Sequence, residues 1–198
     1  MKKIVALLLV LVLSLAFVAC DDKKPAQTTG TAAPTTETPT TETPTTEKKQ
    51  PTAPTGYKMY EGDGFGFAYP KEWSKESSGA IDQLINSTGA GNNITVSYEA
   101  YSDIYTTMTA ARFNTQIKPS LEQAGMQVKN VSVEQGTSEF DVPLTKIVYT
   151  ATIQSVEMKQ TLVVFAKGDR NYCITVTEVA PHAALVENVL ATLHLVED

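Results

Sequence analysis

The sequence has few of the residues on which disulfide-bonded, metal-binding and nucleic-acid-binding proteins depend. Its 198 residues include two cysteines and two histidines. Two cysteines cannot form the framework of a disulfide-rich protein, and the formal net charge of -6 has the wrong sign for binding phosphates. Long apolar runs are also scarce, because residues 4–19 form the only one. A protein with several membrane spans is therefore excluded.

Apolar residues are most depleted between residues 21 and 56. This segment has no aromatic residue and no Val, Ile, Leu or Met, but it holds thirteen threonines and six of the ten prolines. A segment with nothing apolar to bury cannot recover the entropy lost on ordering, and its prolines favour extended polyproline II conformations. We therefore predict that residues 20–56 form a disordered Thr/Pro-rich linker, whose length is about 110 Å if fully extended at ~3.1 Å per residue.

Residues 1–19 have the pattern of a signal peptide. Two lysines follow Met1, and the apolar run after them is shorter than the ~20 residues that a membrane-spanning helix needs. The run ends at Ala19-Cys20, where charged residues begin. This boundary resembles the lipobox of bacterial lipoproteins. The resemblance implies cleavage between Ala19 and Cys20, a diacylglycerol on Cys20, and a lipid-anchored protein outside the cytoplasm, attached to the bacterial cell membrane. The alternative is an ordinary secretory signal with an incidental cysteine.

Residues 57–198 have the mixed composition of one folded domain, with ten Lys or Arg against seventeen Asp or Glu. The apolar spacing predicts a helix over residues 107–124, kinked by Pro119, and a final helix that begins near Pro181. Alternation and turn residues predict strands on both sides of the first helix. The order of strands, helix, antiparallel strands and helix predicts an α+β fold. The predicted strands include 81–87, 94–101, 128–135, 144–153, 158–167 and 171–179.

The start of this domain resembles PsbP-like domains. Residues 63–70 read Asp-Gly-Phe-Gly-Phe-Ala-Tyr-Pro, and Trp73 follows. The superfamily includes the extrinsic protein of the photosystem oxygen-evolving complex, the nuclear-import factor Mog1, and bacterial lipoproteins related to DcrB and LpqN. The resemblance implies an αβα sandwich around a central antiparallel sheet, with helices packed on it. It also implies adaptor or assembly work, without catalysis.

The residues that most often carry chemistry are sparse and scattered. His182 and His194 match neither a zinc site nor a catalytic triad, and surface or helix-cap positions are expected for both. Cys173 lies in a predicted strand, where a small buried side chain is expected and a reactive thiol is the alternative. Four carboxylates could gather around a cation or simply solvate the turns of the sheet: Glu61, Asp63, Glu99 and Asp103. We expect no metal site and no cofactor.

Aromatic residues near the start of the domain have two interpretations. Alternating aromatics are typical of a buried sheet face. The alternative is that Tyr57, Tyr60 and Trp73, at the ends of the strands, form a recognition patch.

The functional hypothesis that follows is a non-catalytic, lipid-anchored binding or assembly module whose partner is another envelope protein. Its membrane contact is the bilayer, through acylated Cys20, and nucleic acid is not expected as a partner. The alternative hypothesis is a receptor lipoprotein that binds a small molecule or a metal.

Overall fold

Two antiparallel sheets form the core of the computed structural model, which describes residues 51–86, 88 and 91–196. The large sheet has seven strands in the order β3-β4-β5-β9-β8-β7-β6, and the small sheet has the order β1-β2-β10. The expected signal peptide and Cys20 lie outside the described residues. The strands are β1 (Tyr57–Gly62), β2 (Phe65–Pro70), β3 (Ser74–Ser78), β4 (Ile81–Ile85), β5 (Asn93–Ala100), β6 (Gln127–Thr137), β7 (Pro143–Ile153), β8 (Val156–Lys167), β9 (Arg170–Glu178) and β10 (His194–Leu195).

Both faces of the large sheet are buried, because alternate side chains of its central strands enter different cores. On β9, Ile174 belongs to the core shared with the small sheet, and its neighbour Cys173 belongs to the core on the opposite face. On β8, Val163 and Val164 divide in the same way. The central antiparallel sheet is therefore as expected, but helices are few. A pair of short helices covers one face, and a third helix shares the other face with the small sheet.

The paired helices are α1 (Ala110–Gln116) and α2 (Lys118–Gln123). The Thr109 hydroxyl caps α1 by accepting a hydrogen bond from the backbone N–H of Arg112. The predicted kink is confirmed, because the helix breaks at Ile117 and Pro119 lies in the first turn of α2, where its missing N–H has no cost. Gly125 has a φ of +90° after the end of α2. Its left-handed conformation lets the backbone N–H of Met126 donate a hydrogen bond to the Leu121 carbonyl, which ends the helix.

The third helix, α3 (Leu185–Thr192), begins later than expected. Residues 181–184 are not helical, and Ala184 at the end of this segment has a φ of +57°, so the prediction of a helix starting near Pro181 is wrong. The apolar stripe of α3 packs into the first core, with Leu185 and Val189 fully buried. None of the helices among residues 51–196 is long and apolar enough to cross a bilayer.

The chain enters the domain beside Trp73. The backbone N–H of Lys71 donates to the Gly56 carbonyl at 3.0 Å, and Lys58 Nζ donates to the Trp73 carbonyl at 3.0 Å. The Trp73 ring meets the His182 ring edge to face, with centroids 5.8 Å apart. His182 follows the C-terminal end of β9, so the chain enters the domain at the end of the large sheet where β9 ends.

One hydroxyl joins α3 to the small sheet. Thr192 Oγ1 accepts a hydrogen bond of 2.7 Å from the buried backbone N–H of Ala68 in β2. We expect Thr192→Val, which keeps the side-chain shape, to lower the free energy of unfolding by about 1–3 kcal/mol, because it leaves that N–H buried without a partner. Urea unfolding measures the change. Thr192→Ser keeps the hydroxyl and is the matched control; an equal loss in both variants would contradict the importance of this bond.

Candidate functional site

Two turns and the segment after β5 meet at the end of the sheet opposite to where the chain enters, and we call this region the turn end. It contains the β1–β2 turn at residues 63–64, the β8–β9 turn at residues 168–169, and the chain just after β5. The Tyr101 N–H donates to the Asp169 carbonyl at 2.8 Å, and the Val196 N–H donates to the Gly64 carbonyl at 2.8 Å. These bonds tie the end of β5 and the last described residue to the two turns.

The turn end contains a cleft of about 250 Å³, which we call the tyrosine cleft. It opens between the β1–β2 turn, the β3–β4 turn at residues 79–80, and the neighbouring ends of β5 and β9. Phe65 and Val96 supply apolar lining. The polar and aromatic side chains of the cleft are Tyr60, Asp63, Asp82, Tyr98, Arg170 and Tyr172.

Asp63 is the centre of one half of the cleft. Its Oδ2 accepts hydrogen bonds from the Tyr172 hydroxyl at 2.6 Å and from Arg170 Nη1 at 2.8 Å. The positive φ of Asp63, +51°, places it in a left-handed turn that directs the carboxylate at β9. Burial and the bond to Asp63 raise the pKa of Tyr172, so this hydroxyl stays protonated and keeps donating.

Asp82 is the centre of the other half. It accepts hydrogen bonds from the Tyr60 hydroxyl at 2.7 Å and from Ser77 Oγ at 2.5 Å, and Lys75 Nζ lies 2.9 Å from the same carboxylate. Burial alone favours the neutral acid, but these hydrogen bonds and the lysine charge outweigh it, so the pKa of Asp82 is lowered. The Asp82 carboxylate is therefore charged at neutral pH.

Each half of the cleft also places a cation over a tyrosine ring. The guanidinium carbon of Arg170 lies 4.3 Å from the centroid of the Tyr98 ring. Lys75 Nζ lies 4.6 Å from the centroid of the Tyr60 ring. Both distances lie within the ~6 Å range of cation–π attraction. The cleft thus combines aromatic faces and carboxylates, and the cations that it holds belong to the protein itself.

A second cavity, of about 340 Å³, lies beside the loop that follows β5. Its lining is mainly apolar and includes Leu144, Val164 and Phe165. The loop is fixed by the Thr145 hydroxyl, which donates to the Tyr105 carbonyl at 2.8 Å. The Tyr105 hydroxyl in turn donates to Glu99 Oε1 at 2.7 Å. This cavity is shaped for an apolar ligand rather than for charged-group chemistry.

Glu99 gives a prediction of pH dependence. Burial raises the pKa of this carboxyl and outweighs the hydrogen bond from Tyr105, so the folded state binds the proton more tightly than the unfolded state. The stability that Glu99 contributes is complete below its unfolded pKa and is lost as the pH rises through its folded pKa. Glu99→Gln keeps an acceptor for Tyr105 without the charge. We expect it to stabilise the domain at pH 7, by less than about 1 kcal/mol because the side chain is only partly buried.

Urea unfolding of both proteins at pH 7 and pH 4 checks this expectation. The difference in unfolding free energy between variant and wild type should shrink at pH 4, where the wild-type carboxyl is largely protonated. The opposite trend would show that the charged form is the stabilised one.

The predicted recognition patch is contradicted by burial. The exposed fractions are 5% for Tyr60 and 1% for Trp73, and Tyr57 packs against the first core. These rings fill the space between the small sheet and the large sheet, so the interpretation as a buried sheet face is confirmed for Tyr60 and Trp73. Within residues 51–196 as described, the exposed aromatics are instead Tyr98 and Tyr101, at 38% and 51%. No signal in the sequence marks Tyr98 as exposed, because alternation places it on the same strand face as the buried Ile94 and Val96.

The remaining candidates for chemistry stay apart. Cys173 is buried, and burial raises the pKa of its thiol to about 12, which supports the expected structural role. His194 lies in β10, and its Nδ1 is 2.9 Å from the carbonyl oxygen of Thr192, the last residue of α3. His182 lies in the segment before α3. Glu61, Asp63, Glu99 and Asp103 do not converge: no group of three or more metal-ligating side chains occurs within residues 51–196 as described.

Comparison with known proteins identifies the fold but no family. No model of a protein family matches the sequence, and no curated protein matches it. The solution structure of cyanobacterial PsbP (CyanoP) from Synechocystis sp. PCC 6803 aligns with a TM-score of 0.55 and 14% identity, over 71% of this chain and 92% of that chain. A crystal structure from Bacteroides thetaiotaomicron VPI-5482 aligns with a TM-score of 0.46 and 13% identity, over 68% of this chain and 46% of that chain. The first alignment shows that the domain has a PsbP-like fold.

Proposed function

We propose that the protein is a non-catalytic binding or assembly module, held outside the cytoplasm by a lipid on Cys20, and that the turn end is where it binds another envelope protein. The PsbP-like fold is compatible with such a role but does not by itself specify one. The proposal depends on how the turn end differs from the rest of the domain surface.

The observation that carries the proposal is the presence of two exposed tyrosines and an arginine at the turn end. Tyr98 stacks under Arg170, and Tyr101 follows on the same strand end, bonded to the β8–β9 turn. Tyrosine and arginine are enriched at the centres of protein interfaces, where rigid rings bury large areas at low entropic cost. Leu195 and Val196 extend the exposed apolar surface beside Gly64.

The position of the turn end suits a tethered domain. β9 has nine residues and runs from the turn end toward the side where the chain enters. At ~3.3 Å per residue it separates the two ends by about 30 Å. A linker attached at residue 56 therefore leaves the tyrosines at the end of the domain that is farther from the point of attachment, where a partner can reach them.

Affinity capture from intact cell envelopes tests the proposal with a matched pair of variants. In the first, Tyr98→Ser and Tyr101→Ser remove the exposed rings of the turn end. In the second, Val156→Ser and Val179→Ser remove exposed apolar side chains elsewhere, with exposed fractions of 47% and 36%. We expect the first pair to reduce recovery of a specific partner at least tenfold and the second pair to leave it unchanged. Equal recovery by both would contradict the turn end as the binding surface.

A small-molecule receptor is the second candidate, and the mainly apolar cavity of about 340 Å³ favours it. Its volume lies within the range of about 300–1,000 Å³ that is usual for ligand pockets. In that case Val164→Trp, which fills the cavity, should abolish ligand-dependent thermal stabilisation without affecting capture of a protein partner.

A further inference from the structure

Two of the protein's own cations occupy equivalent positions in the tyrosine cleft. Arg170 lies between the Tyr98 ring and Asp63, and Lys75 lies between the Tyr60 ring and Asp82. In each case a positive charge contacts an aromatic face on one side and a carboxylate on the other. This combination is the one that proteins use to bind cationic ligands.

We propose that the tyrosine cleft binds an arginine or lysine side chain of the protein partner, and that Arg170 occupies this position until the partner displaces it. The inference rests on the proposed function, since it names the chemistry of the partner that the turn end recognises. It assigns opposite roles to neighbouring residues: Asp63 and Tyr98 form the binding position, and Arg170 competes for it.

The contacts of Arg170 are suited to exchange. The side chains of Arg170 and Asp63 are 40% and 51% exposed, and one guanidinium nitrogen contacts the carboxylate. An exposed ion pair of this kind contributes only about 0–1 kcal/mol. The Arg170 side chain can therefore move into solvent at little cost, and an incoming cation regains the same contacts.

Asp63 remains in place when Arg170 leaves. The Tyr172 hydroxyl donates to the same Oδ2 atom, and the Tyr172 ring packs 5.0 Å from Phe65 and 5.6 Å from Phe165, measured between centroids. The binding position is therefore held by the core rather than by the ion pair. This preorganisation limits the ordering cost of binding.

The charge around the cleft favours a cation over an anion. Glu61 and Asp169 are exposed beside Asp63, and the side chain of Asp169 is 98% exposed. A departing Arg170 can approach Asp169, whose carboxylate is already 4.0 Å from its Nε. An anionic ligand at the same position would instead face the carboxylates of Asp63 and Asp82.

The size of the cleft is also sufficient. Its volume of about 250 Å³ equals that of roughly eight liquid water molecules at ~30 Å³ each. An arginine side chain can enter it between the β1–β2 and β3–β4 turns, and its methylene stem can pack on the Tyr98 ring.

Isothermal titration of the full-length protein in detergent tests this inference, with the peptide acetyl-Gly-Arg-Gly-amide as the probe. The isosteric citrulline peptide is the neutral control. We expect weak binding to the wild type and at least fivefold tighter binding to Arg170→Ala, because the competitor is gone. The double variant Arg170→Ala, Asp63→Asn should bind the peptide at least tenfold more weakly than Arg170→Ala alone. Arg112→Ala, which removes the other arginine of the domain, should bind like the wild type.

Several outcomes would overturn the inference. Weaker binding to Arg170→Ala would mean that Arg170 is a contact rather than a competitor, and equal binding of the citrulline peptide would mean that charge is not recognised. Arg170→Gln, which removes the charge but keeps a polar side chain, provides a second test if Arg170→Ala melts at a lower temperature. If the peptide fails to bind but the tyrosine variants still lose the envelope partner, this inference fails and the proposed function stands.

Discussion

Replacement of Phe65 by alanine is expected to lower the free energy of unfolding by about 3–5 kcal/mol, the range for deletion of a fully buried aromatic ring. The Phe65 side chain is 1% exposed and lies where the small sheet meets the large sheet. Its ring centroid is 5.0 Å from those of Phe165 and Tyr172, 5.7 Å from that of Tyr60 and 6.4 Å from that of Phe67. The ring is the common neighbour of rings from both sheets, so its removal leaves a cavity between the two sheets.

Thermal and urea unfolding measure the loss, and Tyr101→Ala is the control because it removes an aromatic ring that is half exposed. For a domain of this size a loss of 3–5 kcal/mol corresponds to a fall in melting temperature of roughly 10–20 °C. The control should change stability by less than about 0.5 kcal/mol. Similar losses in both variants would indicate that the aromatic cluster between the sheets does not dominate the core.

Phe65 also connects the core to the tyrosine cleft, because it lines the cleft from below and contacts the rings of Tyr60 and Tyr172. Loss of its ring should therefore loosen the tyrosines that hold Asp63 and Asp82. The fold and the candidate site share this residue, which explains why the motif at residues 63–70 is structural and yet lies next to the surface that we propose as functional.

The parts of the fold that alternate or repeat could be predicted from the sequence. Strands β7, β8 and β9 match the predicted strands within two residues at each end, because both of their faces are buried and their turns carry recognisable residues. The break between α1 and α2 follows from Pro119 alone. In these elements the local chemistry and the tertiary packing favour the same structure.

Other parts could not be predicted, because their structure depends on distant partners. Strand β3 has the sequence Ser-Lys-Glu-Ser-Ser and every residue exposed, so no apolar pattern marks it; its pairing with β4 defines it. Strand β10 exists because the chain after α3 lies against β2. Residues 182–184 are His-Ala-Ala, with no proline or glycine that would prevent a helix from starting at Pro181. The late start of α3 was therefore not visible in the sequence either.

The candidate site depends on long-range contacts to an even greater degree. Asp63 and Arg170 are 107 residues apart in the sequence, and nothing in the motif at residues 63–70, which Asp63 opens, points to Arg170. Tyr60 and Tyr98 have similar sequence surroundings, yet one is buried and the other exposed. The difference arises because the small sheet covers β4 and the inner part of β5 but ends before Tyr98. Only the packing of the two sheets distinguishes a core ring from a surface ring here.

The second large effect is expected at the amino terminus, where Cys20→Ser should release the protein from the membrane fraction. The prediction comes from the resemblance of Ala19-Cys20 to a lipobox. Serine has no thiol to receive the diacylglycerol, so the variant would have no acyl chain. Two acyl chains bury many methylenes at ~0.8 kcal/mol each, which gives stable anchoring, whereas the acidic domain provides no electrostatic attraction to an anionic bilayer.

Fractionation of cells that produce either protein measures this effect, and Cys173→Ser is the matched control because it changes the other cysteine, which is buried in β9. Wild type and Cys173→Ser should remain with the membranes and be released by detergent, while Cys20→Ser should be recovered in the soluble extracytoplasmic fraction. Retention of Cys20→Ser in the membrane fraction would contradict the lipid anchor. It would leave the turn end as a binding surface but remove the lipid anchor that we propose to hold this surface in the envelope, since the proposed tether begins at Cys20 and ends at residue 56.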